Sequence, residues 1–428
     1  MSMYFYSTRN LSYQVSIDNA LVMGIAPDGG LFLPSDFPPV YPLLNNEPCT
    51  LQRAAAVVLA PYLSSYFSHQ DISDIVQQSF QFEVPLVKLN EGLHVAELFH
   101  GPTLAFKDFG GQFMANVLSR ILAKRSKRAT ILVATSGDTG GAVAQGFYEK
   151  ENVNVVILYP KGKVSELQEL QLTTYGKNIR AISIDGTFDD CQRLVKHAFA
   201  DREFSEKLSL SSANSINIGR LLPQMIYYAY TSHIYFLEYK KVPDVIVPSG
   251  NFGNITAALF VKKMGFPIGK LIAATNSNNV VPTYFETGNY IPTSSKHTLS
   301  NAMDVGAPSN MERLLTLYNH DLQSMRTDFE AVAVTDEETK KTMRDTYDRF
   351  GYIADPHTAV GICVAEKLKT DTPKIVMSTA HPAKFKKDVE QILQIKLPLP
   401  TQLSCLLNKQ VYKEELPDDY NAFKAAIG

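Results

Sequence analysis

Cysteine is scarce in this 428-residue chain: Cys49, Cys191, Cys363 and Cys405 lie far apart, with no C-x-x-C pair. That spacing excludes a zinc knuckle and a redox dithiol, and it predicts reduced thiols, no metal and a cytoplasmic protein. Charge of one sign is lacking too. Lys and Arg number 41 against 43 Asp and Glu, so the broad basic field of a nucleic-acid binder is missing. The basic cluster Lys124, Arg125, Lys127 and Arg128 closes a helix-periodic stretch, where cations complement the helix dipole in water. Long apolar runs are absent: the stretch from Ala54 to Leu63 is too short to span a bilayer and carries Pro61. The first residues show no basic region followed by an apolar core, so no leader or membrane contact is expected. Glycine (24) and proline (23) stand at ordinary levels, and no repeat or low-complexity tract appears, which excludes collagenous and disordered chains.

What remains is a chain 45% hydrophobic and several times longer than a single domain of about 150 residues. Short apolar runs alternate with helical periodicity: ILVA from Ile131, VVILY from Val155, VIV from Val245, LIAA from Leu271 and IVM from Ile375. Runs this continuously apolar are buried on both faces, which predicts parallel strands covered by helices. One helical stripe follows Lys107, a second follows Thr187, and a third runs from Ile255 to Met264 before Gly265 and Pro267. The expected class is α/β with open parallel sheets.

In such sheets ligands bind beyond the carboxyl ends of strands. TSGDTGGA (135–142) follows the ILVA run and PSGNFGN (248–254) follows the VIV run. Each loop combines glycines with hydroxyl or amide side chains, so each reads either as an anion cradle at a helix amino terminus or as an ordinary capped turn. Neither is a P-loop or a dinucleotide fingerprint. In HGPTLAFKDFGG (100–111), Lys107 follows Leu104, Ala105 and Phe106 and opens a helix. Desolvation and the helix dipole disfavour its charged form, the profile of a Schiff-base lysine; the other reading is a snorkelling lysine paired with Asp108. NSINIGR (214–220) offers a planar guanidinium to a phosphate, or simply caps a helix. In STAHPAKF (378–385), Ser378 or Thr379 reaches a strand end, while His381 and Lys384 read equally as surface residues. A candidate Schiff-base lysine, two anion cradles, a strand-end hydroxyl and a phosphate-directed arginine together suit pyridoxal 5'-phosphate.

These motifs, with LSNAMDVGAPSN (299–310), DPHTAVG (355–361) and the early APDGGLFLP (26–34), resemble the threonine synthase family over most of the chain. The resemblance is to the bacterial and fungal branch. It implies the tryptophan-synthase-β-like fold of fold type II pyridoxal-phosphate enzymes: two open, mainly parallel sheets flanked by helices, plus an amino-terminal family-specific domain. It places that domain at 1–90, the catalytic region at 91–385 with a smaller subdomain at roughly 112–215, and a carboxyl-terminal segment at 386–428. It implies a carbon–oxygen lyase that converts O-phospho-L-homoserine and water to L-threonine and phosphate, as a monomer or a homodimer.

The resemblance assigns Lys107 to the Schiff base and Gly250, Asn251, Phe252, Gly253 and Asn254 to the cofactor phosphate. It sets Thr379 beside the pyridine nitrogen. Ser136, Gly137, Asp138 and Thr139 fall on the substrate carboxylate, and Asn214, Ser215 and Arg220 on the substrate phosphate. Many enzymes of this fold have Asn where this chain has Asp138. An ionised carboxylate would repel the cofactor's phenolic oxygen, so either Asp138 points elsewhere or a proton is shared. A dehydratase or phospholyase of the same fold, and a non-catalytic binder built on it, are the rival readings.

Overall fold

The continuously apolar runs become parallel strands with both faces covered, and two such sheets organise the molecule. The computed structural model describes residues 3–45 and 47–428. The larger sheet contains β4 (Leu86–Asn90), β5 (Leu93–Glu97), β10 (Asp244–Pro248), β11 (Leu271–Thr275), β12 (Phe329–Ala333) and β13 (Lys374–Ser378). Their order is β12-β11-β10-β13-β5-β4, parallel throughout except for the antiparallel β4–β5 hairpin at one edge. The smaller sheet contains β6 (Ala129–Ala134), β7 (Val153–Pro160), β8 (Ile179–Asp185), β9 (Leu210–Ser212) and β14 (Glu414–Pro417). Its order is β14-β8-β7-β6-β9, and every pair is parallel. Parallel strands need covering helices, and the interior is correspondingly rich in Val, Ile, Leu and Ala.

Strand order brings the candidate segments together in pairs. In the larger sheet β10 lies beside β13 and β13 beside β5, so the loops carrying 249–252, 379–381 and 98–106 leave neighbouring strand ends. In the smaller sheet β6 lies beside β9, so residues 135–137 and 213–217 leave together. The two halves are joined where the Lys107–Lys124 helix crosses the Asp138–Phe147 helix. Glycines permit that crossing: a Cβ on Gly111 would stand 2.4 Å from the Ala142 carbonyl oxygen, and one on Gly146 would stand 2.6 Å from that of Gly111.

The first 80 residues form the small antiparallel sheet β2-β1-β3, with β1 Phe5–Ser7, β2 Gln14–Val15 and β3 Phe32–Pro34, and the helices Leu51–Leu63 and His69–Ser79. Their apolar residues Phe5, Phe32, Tyr62 and Phe80 share one continuous core with Phe109, Phe113 and Phe260. The stretch around Pro61 is part of the Leu51–Leu63 helix, which packs into this core, and among the described residues no helix is long and apolar enough to cross a membrane. Of the basic cluster, Lys124 pairs with Asp71 at 3.0 Å and Arg125 pairs with Asp18, so these cations tie the helix end to the amino-terminal segment. The segment after 386 contributes β14 to the edge of the smaller sheet.

Candidate active site

Lys107 is the first residue of its helix, and the chain that leads to it is pinned to the end of β13. Phe106 N–H donates to the Thr379 carbonyl at 2.9 Å, His381 N–H donates to the Leu104 carbonyl at 3.1 Å, and Ala105 bridges Ala380. Leu104 adopts φ +59°, a left-handed conformation that costs a branched residue about 1–2 kcal/mol and turns the chain into the helix. The residues just before Lys107 are thus fixed against Thr379, Ala380 and His381. Asp108 is not the partner of Lys107. Its carboxylate accepts from Thr103 N–H at 2.9 Å and from Thr103 Oγ1 at 2.5 Å, and burial raises its pKa to about 6. Burial also lowers the pKa of the Lys107 amine; Asp138 opposes the shift, while Arg220 and Lys384 reinforce it.

The loop after β10 gives the next helix, Gly253–Lys263, an amino terminus with no side-chain cap. Its left-handed residue is Phe252 (φ +60°), not one of the glycines. Gly250 is required for a different reason, because a Cβ there would lie 2.7 Å from Met303 Cα. Asn254 is fully oriented. Its Oδ1 accepts from the hydroxyls of Tyr227 and Tyr228, the latter at 2.7 Å, which leaves the buried Nδ2 without a partner. An uncapped helix start of eleven residues and an orphaned amide donor fit a phosphate group, and Lys107 fits a carbonyl carbon. On these grounds the residues fit pyridoxal phosphate.

The loop is braced from behind by residues the sequence motifs contained without revealing their task. Asn310 Nδ2 donates to the Asn251 carbonyl at 3.0 Å, Ser309 N–H donates to Asn251 Oδ1 at 2.6 Å, and Asn251 donates to Ser215. Arg313 is 0% exposed; its guanidinium donates to Asn310 Oδ1 at 2.6 Å and to the carbonyls of Ile216 (2.6 Å) and Phe32 (2.9 Å). It therefore joins β3, the 214–217 segment and the brace of the glycine loop. Because a Cβ on Gly250 meets backbone while one on Gly253 meets only the Asn310 amide at 3.2 Å, the two glycines are unequal. Gly250→Ala is expected to weaken cofactor affinity about tenfold or more, from an overpacking cost of ~1–3 kcal/mol. Gly253→Ala should cost less, and equilibrium dialysis against the cofactor measures both.

In the smaller half, Gly137 (φ +136°) opens the Asp138–Phe147 helix, and Thr135 Oγ1 accepts from Gly137 N–H and Gly140 N–H, each at 2.9 Å. Ser136 and Thr139 flank this turn. Asp138 faces away from the turn's amides: its Oδ1 lies 2.9 Å from Gln168 Nε2 and 2.9 Å from Lys384 Nζ. Burial pushes its pKa up, but Lys384, Lys107 and the Gln168 bond outweigh that and hold it well below the usual carboxylate range. Lys384 is accordingly not a surface residue. It is 2% exposed and also donates to the Thr103 carbonyl at 2.7 Å and Gln171 Oε1 at 2.9 Å. Nothing local marks this burial, because a lysine after a proline in a loop is ordinarily solvated.

Asn214 Nδ2 donates to the Ala134 carbonyl at 2.9 Å and so fixes the end of β6, while Asn217 caps the short Ile218–Leu221 helix. Arg220 is 4% exposed. Nη1 donates to the Ala213 carbonyl at 2.8 Å, Nη2 approaches the Lys107 carbonyl at 3.4 Å, and Nε lies against Gly110 without a partner. Burial lowers its pKa to about 10, and Asp108 opposes the shift. It stays cationic at neutral pH beside the lysine, with N–H groups on both Nη atoms left for an anion.

The chain matches the family described as pyridoxal-phosphate dependent enzyme over residues 81–378. It also matches the threonine synthase N terminus over 4–80 and the threonine synthase C-terminal family over 358–427. The threonine synthase of Escherichia coli is 41% identical over 425 residues, covering 99% of this chain and 98% of that one. That of Haemophilus influenzae is 42% identical over 99% of both. Among solved structures, the pyridoxal-phosphate-bound threonine synthase of Brucella melitensis superposes with a TM-score of 0.93 at 36% identity, covering 99% of this chain and 98% of that one. Maize serine racemase, at 15% identity and a TM-score of 0.56, shares the fold alone.

Proposed function

The chain belongs to the threonine synthase family, and from that premise we propose how its own residues divide the conversion of O-phospho-L-homoserine and water to L-threonine and phosphate. Pyridoxal phosphate is the cofactor, and when bound it supplies an electron sink for the pair left behind when a C–H bond at the substrate's Cα breaks. The reading rests chiefly on Lys107, an amine at a helix start that is pinned to the end of β13 and lies among the charges of Asp138, Arg220 and Lys384.

Lys107 would hold the cofactor through its amine, and the same amine would carry protons at the substrate's Cα and then Cβ, because each of these steps needs a base within reach. Residues 250–254 hold the cofactor phosphate and Thr379 presents a hydroxyl to the ring nitrogen. A neutral partner there leaves the ring less electron-demanding than a carboxylate partner would. Ser136, Gly137 and Thr139 bind the substrate carboxylate with hydroxyls and helix-terminal amides, while Asp138 keeps its charge turned toward Lys384. Asn214, Ser215 and Arg220 face the phosphate that departs from Cγ; water then adds at Cβ. Free thiols at Cys49, Cys191, Cys363 and Cys405 support a cytoplasmic enzyme. The family matches over 4–80 and 81–378 support an amino-terminal domain before the catalytic region.

The direct test is incubation of the holoenzyme with O-phospho-L-homoserine, followed by product identification. Threonine and phosphate in equal amounts are expected; a keto acid would return the dehydratase reading. Arg220→Lys should lower both kcat and kcat/KM, since an ammonium keeps the charge but not the planar fork. One lost charge-assisted contact of ~1.5–3 kcal/mol corresponds to about one to two decades in kcat/KM, with the visible spectrum unchanged. Full activity, or loss of cofactor, would move the arginine out of the substrate site.

A further inference from the structure

The Asp138–Lys384 pair is buried on both sides, with side chains 5% and 1% exposed, and it stands in the field of Lys107. A surface pair would be worth little, and a buried one costs desolvation at both ends, so stability alone gives no reason for it here. Its geometry is over-determined. Lys384 spends its donors on Asp138, the Thr103 carbonyl and Gln171, and Asp138 takes a second donor from Gln168. Gln168 is itself locked, since its Oε1 accepts from Ser165 N–H at the start of the Glu166–Thr173 helix. Thr103 in turn holds Asp108, the residue next to Lys107.

We propose that Lys384 is a positioning residue: its buried ammonium keeps the Asp138 carboxylate ionised and fixed, and the two opposite charges together set the proton affinity of the Lys107 nitrogen. The proposal rests on the reading of Lys107 as the cofactor lysine. The charged groups facing that nitrogen are Asp138 from one helix start, Lys384 from the turn after β13 and Arg220 from the short helix after β9; Asp108 acts on Lys384 and Arg220 from beneath. Asp138 favours a proton on the nitrogen and Lys384 opposes one, so within the intact pair each charge offsets part of the other's effect. Removing either member exposes the other.

The experiment is a pH titration of the visible Schiff-base absorption in four holoenzymes: wild type, Lys384→Met, Asp138→Asn and the double variant. One charge left uncompensated near the nitrogen should move the midpoint at least about tenfold in proton affinity. The midpoint should rise in Lys384→Met, fall in Asp138→Asn, and lie between those two in the double variant, closer to wild type than either single variant. If Lys384→Met does not fold, the fall of the midpoint in Asp138→Asn and its recovery in the double variant decide the question. Unshifted midpoints in the single variants, a double variant that stays shifted as far as a single one, or a double variant that is colourless or unfolded would overturn it. Failure of the parent reading would be visible separately, as borohydride reduction of the wild type marking a lysine other than 107.

Discussion

Replacing Lys107 by alanine should abolish the visible absorption of the holoenzyme and lower kcat by about four orders of magnitude or more, while the far-ultraviolet dichroism stays native. The size follows from two tasks resting on one nitrogen: bonding to the cofactor and carrying protons, of which proton transfer alone is typically worth 10² to about 10⁴. The fold should survive. The Lys107 ammonium does not share in the Asp108–Thr103 bonds that shape its loop, and the helix keeps its start through the backbone links of Leu104, Ala105 and Phe106 to 379–381. The competing nucleophile in the site is Lys384, and its surroundings disqualify it, because its donors are already engaged by a carboxylate, a carbonyl and an amide oxygen. Borohydride reduction and peptide mapping should therefore mark Lys107. A mark on Lys384, or a yellow Lys107→Ala protein, would require another site.

Much of this arrangement was legible because it is local. Strand interiors such as Ile131 to Ala134 and Ile375 to Met377 announce themselves by continuous burial, and the glycine-rich loops follow directly on them. What stayed hidden depends on contacts far apart in the chain. The strand Ile179–Asp185 alternates Arg180 and Ser183 with apolar residues and gives no continuous run, so it went unread, as did Glu414–Pro417 beside it. Arg180 is bound to Glu414 at 2.8 Å, a pairing across more than two hundred residues that no local pattern announces. The same holds for Lys384 and Arg313, whose polar groups are met largely by distant partners such as Asp138, Thr103, Ile216 and Phe32. The glycine loop does follow a strand and open a helix, but the reasons for its residues lie in contacts that the local sequence does not carry. Its strained residue is Phe252, held by burial against Phe329, and the need for Gly250 comes from Met303 some fifty residues on.

Gly137→Ala tests the other half of the site and should cost about two to three orders of magnitude in kcat/KM with O-phospho-L-homoserine. Two effects act together. At φ +136° a side chain is strained whatever its surroundings, by roughly 1–3 kcal/mol. The new Cβ would also stand 2.6 Å from Gln168 Cδ and Nε2. Gln168 is able to move only by giving up its bonds to Asp138 and to Ser165 N–H, and Asp138 would then lose one of its two fixed donors. The turn that should meet the substrate carboxylate is displaced in either case, and a misplacement of ~1 Å at a binding group is commonly worth about a hundredfold. Cofactor content should stay near that of the wild type, because residues 250–254 follow β10 of the larger sheet and the chain leading to Lys107 is pinned to the end of β13 in that same sheet. Steady-state kinetics beside absorbance at the cofactor band separates the two. An alanine variant with unchanged kcat/KM would show that the 136–139 turn does not meet the substrate, and one that loses its cofactor would place that turn on the cofactor instead.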